Sequence, residues 1–63
     1  MTPKNSLWSI RTARHSWSYP GVGPIAALIG LCRYEAMRER LQPETWYKRH
    51  IVSTKRVTIV EEK

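Results

Sequence analysis

Residues 16–32 read SWSYPGVGPIAALIGLC, the longest stretch of the chain free of Lys, Arg, His and acids. How these seventeen residues are read decides the fold. Pro20, Gly21, Gly23 and Pro24 make the first half a turn or a broken segment. Pro24 suits the first position of a helix, where its missing N–H costs nothing. From there Ile25, Ala26, Ala27, Leu28, Ile29, Leu31 and Cys32 are apolar on every side. A helix without a polar face belongs in a large core or in lipid. A chain of 63 residues buries only about 60% of its unfolded surface and builds no large core. The stretch therefore predicts a membrane span. About 20 residues are needed, within a range of about 17–25. This length is met when Trp17 and Tyr19 sit at one headgroup level and Arg33, with Tyr34, snorkels to the other. The mean hydropathy of −0.50 is explained more easily by a chain that never enters lipid, and a single short span in a polar chain also gives it.

Toward the C-terminus, residues 33–42 (RYEAMRERLQ) are good helix formers, and Pro43 reads as the stop. A helix over 24–42 is about 28 Å long at 1.5 Å per residue. Its second half carries Tyr34, Met37 and Leu41 on one stripe and pairs Glu35 with Arg38 at i, i+3. Gly23, Ala27 and Gly30, with Ala26 four before Gly30, have the spacing that lets two membrane helices approach closely. Chance in a helix containing Ala and Gly explains that spacing equally well.

The flanks are basic. Residues 1–16 carry Lys4, Arg11 and Arg14 and no acid; Leu7, Ile10, Arg14 and Trp17 fall at helical spacing, the look of a mitochondrial targeting segment. Residues 43–63 hold the aromatic pair Trp46-Tyr47 beside Lys48, Arg49 and His50. They also hold the β-branched run Val57-Thr58-Ile59-Val60, which favours an extended backbone. The expected fold class is thus all-α. A single transmembrane helix continues into an amphipathic one over 17–42, between a basic segment 1–16 and an extended tail 43–63.

Eleven Lys and Arg against five Glu give a net charge of +6, and no acid precedes Glu35. Such a balance suits nucleic-acid phosphates or anionic lipid. Catalysis is not indicated. There is no Asp, His15 and His50 are far apart in sequence, and Cys32 lies in an apolar run that makes a thiol inert. One Cys and two lone His make no metal site, and no cofactor is implied. Gly21-Val22-Gly23-Pro24-Ile25-Ala26 fits the dinucleotide fingerprint G-x-G-x-x-A, but residues 16–20 do not read as the buried strand that must precede it.

Ile29-Gly30, followed after eight residues by Glu39-Arg40-Leu41 and preceded by the apolar run, resembles the MNLL-type accessory subunit of mitochondrial complex I. The resemblance covers residues 24–41. It implies a non-catalytic, single-pass subunit of the inner-membrane respiratory chain. In that setting Gly23, Ala26, Ala27 and Gly30 pack on neighbouring membrane subunits. Arg33, Arg38 and Arg40 meet anionic lipid such as cardiolipin, or acidic loops. Trp46, Tyr47, Val57 and Ile59 anchor the tail. The residues carry an alternative: a small basic RNA-binding structural protein of the mitochondrial ribosome, with Trp8, Trp17, Trp46 and Tyr47 stacking bases among phosphate-binding cations. Bases flank the apolar run on both sides, so the positive-inside rule assigns no orientation.

Overall fold

Five elements follow in chain order: β1 (Ser6–Arg11), β2 (Ser16–Gly21), α1 (Pro24–Arg38), α2 (Pro43–His50) and β3 (Thr58–Glu61). A 3-10 turn, Val52–Thr54, precedes β3. The computed structural model describes residues 5–62. Lys4 and the rest of residues 1–4, the start of the expected targeting segment, lie outside them.

The three strands form one antiparallel sheet in the order β2-β1-β3. Ile10 of β1 lies opposite Trp17 of β2 and opposite Ile59 of β3. Alternation along each strand sends Trp8, Ile10, Trp17, Tyr19 and Ile59 to one face. There they meet the helices in a single cluster around Ile10, Ala27, Leu31, Cys32, Ala36, Trp46 and Ile51. Ser9, Arg11, Thr58 and Val60 line the opposite, open face. Because β2 and β3 both run antiparallel to β1, they point the same way, and the two helices form the crossover between them.

This small α+β domain corrects the expected all-α fold with a membrane span. Among the described residues no helix is long and apolar enough to cross a membrane. The N-terminal half of the uncharged stretch is β2, so Trp17 and Tyr19 pack on the helices rather than mark a headgroup level. The apolar half is α1. It buries Ala27, Leu31, Cys32 and Ala36 as one stripe against the sheet, and Ile25 and Ile29 remain 65% and 49% exposed. Fifteen residues span about 22 Å, short of a hydrocarbon core of about 30 Å.

The helix also ends earlier than expected. Leu41 N–H donates to the Ala36 carbonyl at 2.8 Å and Arg40 N–H to the Met37 carbonyl at 3.2 Å. Arg40 is left-handed at φ 57°. This is a Schellman motif with Arg where Gly is usual. Pro43 is not a stop. It opens α2 at a first-turn position, after Gln42 in extended conformation.

Two further expectations change. Residues 6–21 form a hairpin where a helical targeting segment was expected, so the spacing of Leu7, Ile10, Arg14 and Trp17 is incidental. A strand does precede Gly21-Val22-Gly23. Antiparallel β1 lies between it and its parallel partner β3, however, so the adjacent parallel strands of a dinucleotide site are not formed. The β-branched tail is extended, as its composition indicates, and its partner is β1 of the same chain.

Candidate nucleic-acid interface

The β1–β2 hairpin turns at Thr12–His15. Thr12 N–H donates to the His15 carbonyl at 2.8 Å. Its hydroxyl accepts from the Arg14 N–H at 3.3 Å and the His15 N–H at 3.1 Å. A threonine that caps two amides in this way holds the loop tip and presents Arg14 outward. Arg11 ends β1 just before this turn and lies opposite Thr58 at the start of β3.

The second contributor is the end of α2 with the turn that follows. Lys48, Arg49 and His50 occupy the last helical turn, where cations meet the negative end of the helix dipole. Ile51 is buried and pins the chain. The Thr54 hydroxyl donates to the Ile51 carbonyl at 2.8 Å, and Lys55 adopts φ 59° to redirect the backbone toward β3.

These two segments converge. Arg14, His15, Arg49, His50, Ser53 and Thr54 line one shallow depression of about 200 Å³. Residues 11–16 and 48–56 contain Arg11, Arg14, Lys48, Arg49, Lys55 and Arg56 and no acid. All six bases are exposed.

An aromatic cluster fixes the juncture. His15 stacks on Trp17 at 5.5 Å, and Trp17 meets Trp46 edge-on at 5.6 Å. Trp46 stacks on His50 at 4.7 Å, and the two histidines meet edge-on at 6.3 Å. Trp46 donates its indole N–H to Glu39 Oε2 at 2.6 Å. Glu39 Oε1 also lies 3.4 Å from His50 Nε2, an ion-pair distance when the imidazole is protonated. The directionality of a hydrogen bond is missing there, so Nε2 is left without a partner. The Trp46 hydrogen bond holds the Glu39 carboxyl below the usual carboxylate range; His50 and Arg49 add to this and partial desolvation opposes it. Sequence reading missed this cluster, because 29 to 35 positions separate His15 and Trp17 from Trp46 and His50 and only the fold brings them together.

The residues singled out from sequence take other places. Gly23 caps α1 in open surroundings, Ala26 is exposed and Ala27 is buried. A Cβ on Gly30 would lie 2.6 Å from Tyr19 Cε2, and one on Gly21 would lie 2.7 Å from the Ala27 nitrogen. Close approach is therefore used, but by α1 on its own strand β2. Arg33 borders a groove between α1 and α2 with Ile25, Ile29 and Tyr47. Arg38 bonds Glu35 at 3.1 Å, the pair expected from their spacing. Arg40 is exposed in the Schellman motif. None of these three arginines lines the depression. Trp46 is a core residue, Ile59 packs against the core, and Val57 is exposed beside β3. Trp8 is half-buried and donates its indole N–H to the Gly21 carbonyl at 2.9 Å. The tryptophans are thus committed to the fold, and the surface offers cations rather than a stacking platform. Cys32 is buried, which pushes its thiol up, and no cluster able to hold a metal occurs among the described residues.

The chain matches no protein-family model, no curated protein and no solved structure.

Proposed function

We propose that the chain is a non-catalytic nucleic-acid-binding domain that grips the phosphate backbone of RNA with Arg11, Arg14, Lys48, Arg49, Lys55 and Arg56. One observation carries this reading: two acid-free segments, remote in sequence, meet at one end of the fold. The hydroxyls of Ser53 and Thr54 already donate to backbone carbonyls of the same turn, so the grip on phosphate rests on the cations. With the indoles engaged in packing, recognition rests on charge and shape and carries little sequence preference. This is the RNA-binding alternative derived from composition, without its stacking component. Membership of a mitochondrial ribosome is one setting in which such a domain serves.

Fluorescence anisotropy with a labelled single-stranded RNA tests the reading. Six phosphate contacts give a slope of log K against log salt of about −4, and Arg14→Ala or Arg49→Ala each flattens it by about 0.7. Binding that ignores both substitutions, or no binding at low salt, contradicts the reading.

The exposed apolar face of α1 favours a second reading. Ile25 and Ile29, 65% and 49% exposed, line a groove with Leu28, Pro43 and Tyr47. A structural subunit docked on a larger assembly by this face fits that exposure. The respiratory complex I of the resemblance, with anionic lipid at the basic end, is the setting that the sequence nominates. Co-migration with such a complex on a native gel, lost on Ile25→Glu, supports it; migration as a free small species contradicts it.

A further inference from the structure

We infer that two copies of this chain associate through the free edge of β3, pairing antiparallel about Ile59 into a six-stranded sheet. The two outer edges of the sheet are not alike. Glu62 N–H donates to the Leu7 carbonyl at 2.8 Å. With the β1–β3 register, this fixes which backbone groups face inward. Thr58, Val60 and Glu62 face β1, while Val57, Ile59 and Glu61 direct N–H and C=O outward. On the other side, Trp17, Tyr19 and Gly21 of β2 face β1 by the same alternation. Pro20 then falls at an outward position and removes a donor there. That edge is blunted, as natural sheets blunt edges against pairing. The β3 edge has no proline and no bulge, and its residues 57–60 are β-branched throughout.

Charge selects a second copy as the occupant. Arg56 precedes the strand, and Glu61 and Glu62 end it. The outward backbone groups allow Ile59 to pair with its own counterpart and Val57 with Glu61 of the second copy. In that register Arg56 lies directly opposite Glu62 of the second copy, and two-fold symmetry makes the pair twice. Both sit at non-hydrogen-bonded positions, where opposed side chains approach most closely. Sliding the strands by two residues either way loses both pairs. Lys55, at φ 59°, stands outside any extended ladder and cannot replace Arg56. The register also brings the two Ile59 side chains together, each already packed against its core. Val60, 55% exposed, gains cover from Thr58 of the second copy.

Sedimentation equilibrium of the full chain without nucleic acid tests this association. The expected result is a concentration-dependent rise toward twice the 7.4 kDa chain mass. Val57→Pro removes an outward donor and leaves a monomer. Glu62→Arg, an exposed and unpaired position among the described residues, weakens association about tenfold or more by replacing two attractive cross-strand pairs with repulsive ones. Arg56→Glu combined with Glu62→Arg exchanges the charges and restores association. A monomer at every concentration, or a dimer indifferent to Val57→Pro and to both charge variants, overturns the proposal. Arg14→Ala and Arg49→Ala leave this edge intact, so loss of RNA binding and loss of association are separable.

Discussion

Arg40 carries a left-handed backbone, φ 57°, at a position that glycine usually fills in a Schellman motif. An L-residue pays about 1–2 kcal/mol for this conformation, and glycine loses part of that gain to chain entropy when it folds. Arg40→Gly is therefore expected to stabilise the domain by about 0.5–1 kcal/mol, read as a higher urea midpoint at unchanged slope. The missing glycine also explains why the helix end was illegible. Residues 33–42 are all helix formers, and the first punctuation in the sequence is Pro43. Pro24, by contrast, announced the start of α1 correctly, because its fixed φ and absent N–H suit a first turn. Glu39 is the other telling residue. Its carboxyl is depressed chiefly by the Trp46 hydrogen bond. A depressed acid contributes stability above its unfolded-state pKa, and that contribution is lost as pH falls through its folded value. Glu39→Gln should lower stability at neutral pH and make the acid side of the stability profile shallower than in the parent chain. Denaturation curves collected from neutral to acidic pH check the sign.

At the scale of elements, α1 and β2 fit because small residues let them. Gly21 faces the backbone of Ala27, and a Cβ there would lie 2.7 Å from its nitrogen and 2.9 Å from its Cα. Backbone cannot swing aside as a side chain does. Gly21→Ala is expected to cost about 1–3 kcal/mol, the range for overpacking, with thermal unfolding as the measurement. The small-residue spacing is visible in sequence, where a neighbouring membrane helix and chance explain it equally well. The partner is a strand that the sequence hid. Residues 16–21 contain Pro20 and three polar or small positions, a poor strand signature. Residues 6–11 break alternation, with Leu7 outward beside Trp8 inward, and so resemble an amphipathic basic segment. Only the β-branched run of β3 declared itself. Once the two N-terminal strands are missed, α1 has no sheet to cover, and an all-apolar helix is pushed by elimination into lipid.

At the scale of the molecule, folding sorts the charge. Of the eleven basic residues, Arg11, Arg14, Lys48, Arg49, Lys55 and Arg56 lie on two segments that meet at one end of the fold. There the depression is lined by Arg14 and Arg49. The sequence showed the basic excess but not its focus, since hairpin and helix end come together only through the Trp17–Trp46 contact and the β1–β3 pairing. A focused patch concentrates positive potential and steers a polyanion to it. The measurement that reaches this claim most directly is a two-dimensional amide NMR titration with a short single-stranded RNA. Shifts confined to residues 11–16 and 48–56, reversed by added salt, are the predicted result. Shifts centred on Ile25, Ile29 and Tyr47 with the basic end silent, or no shifts at low salt, would contradict it.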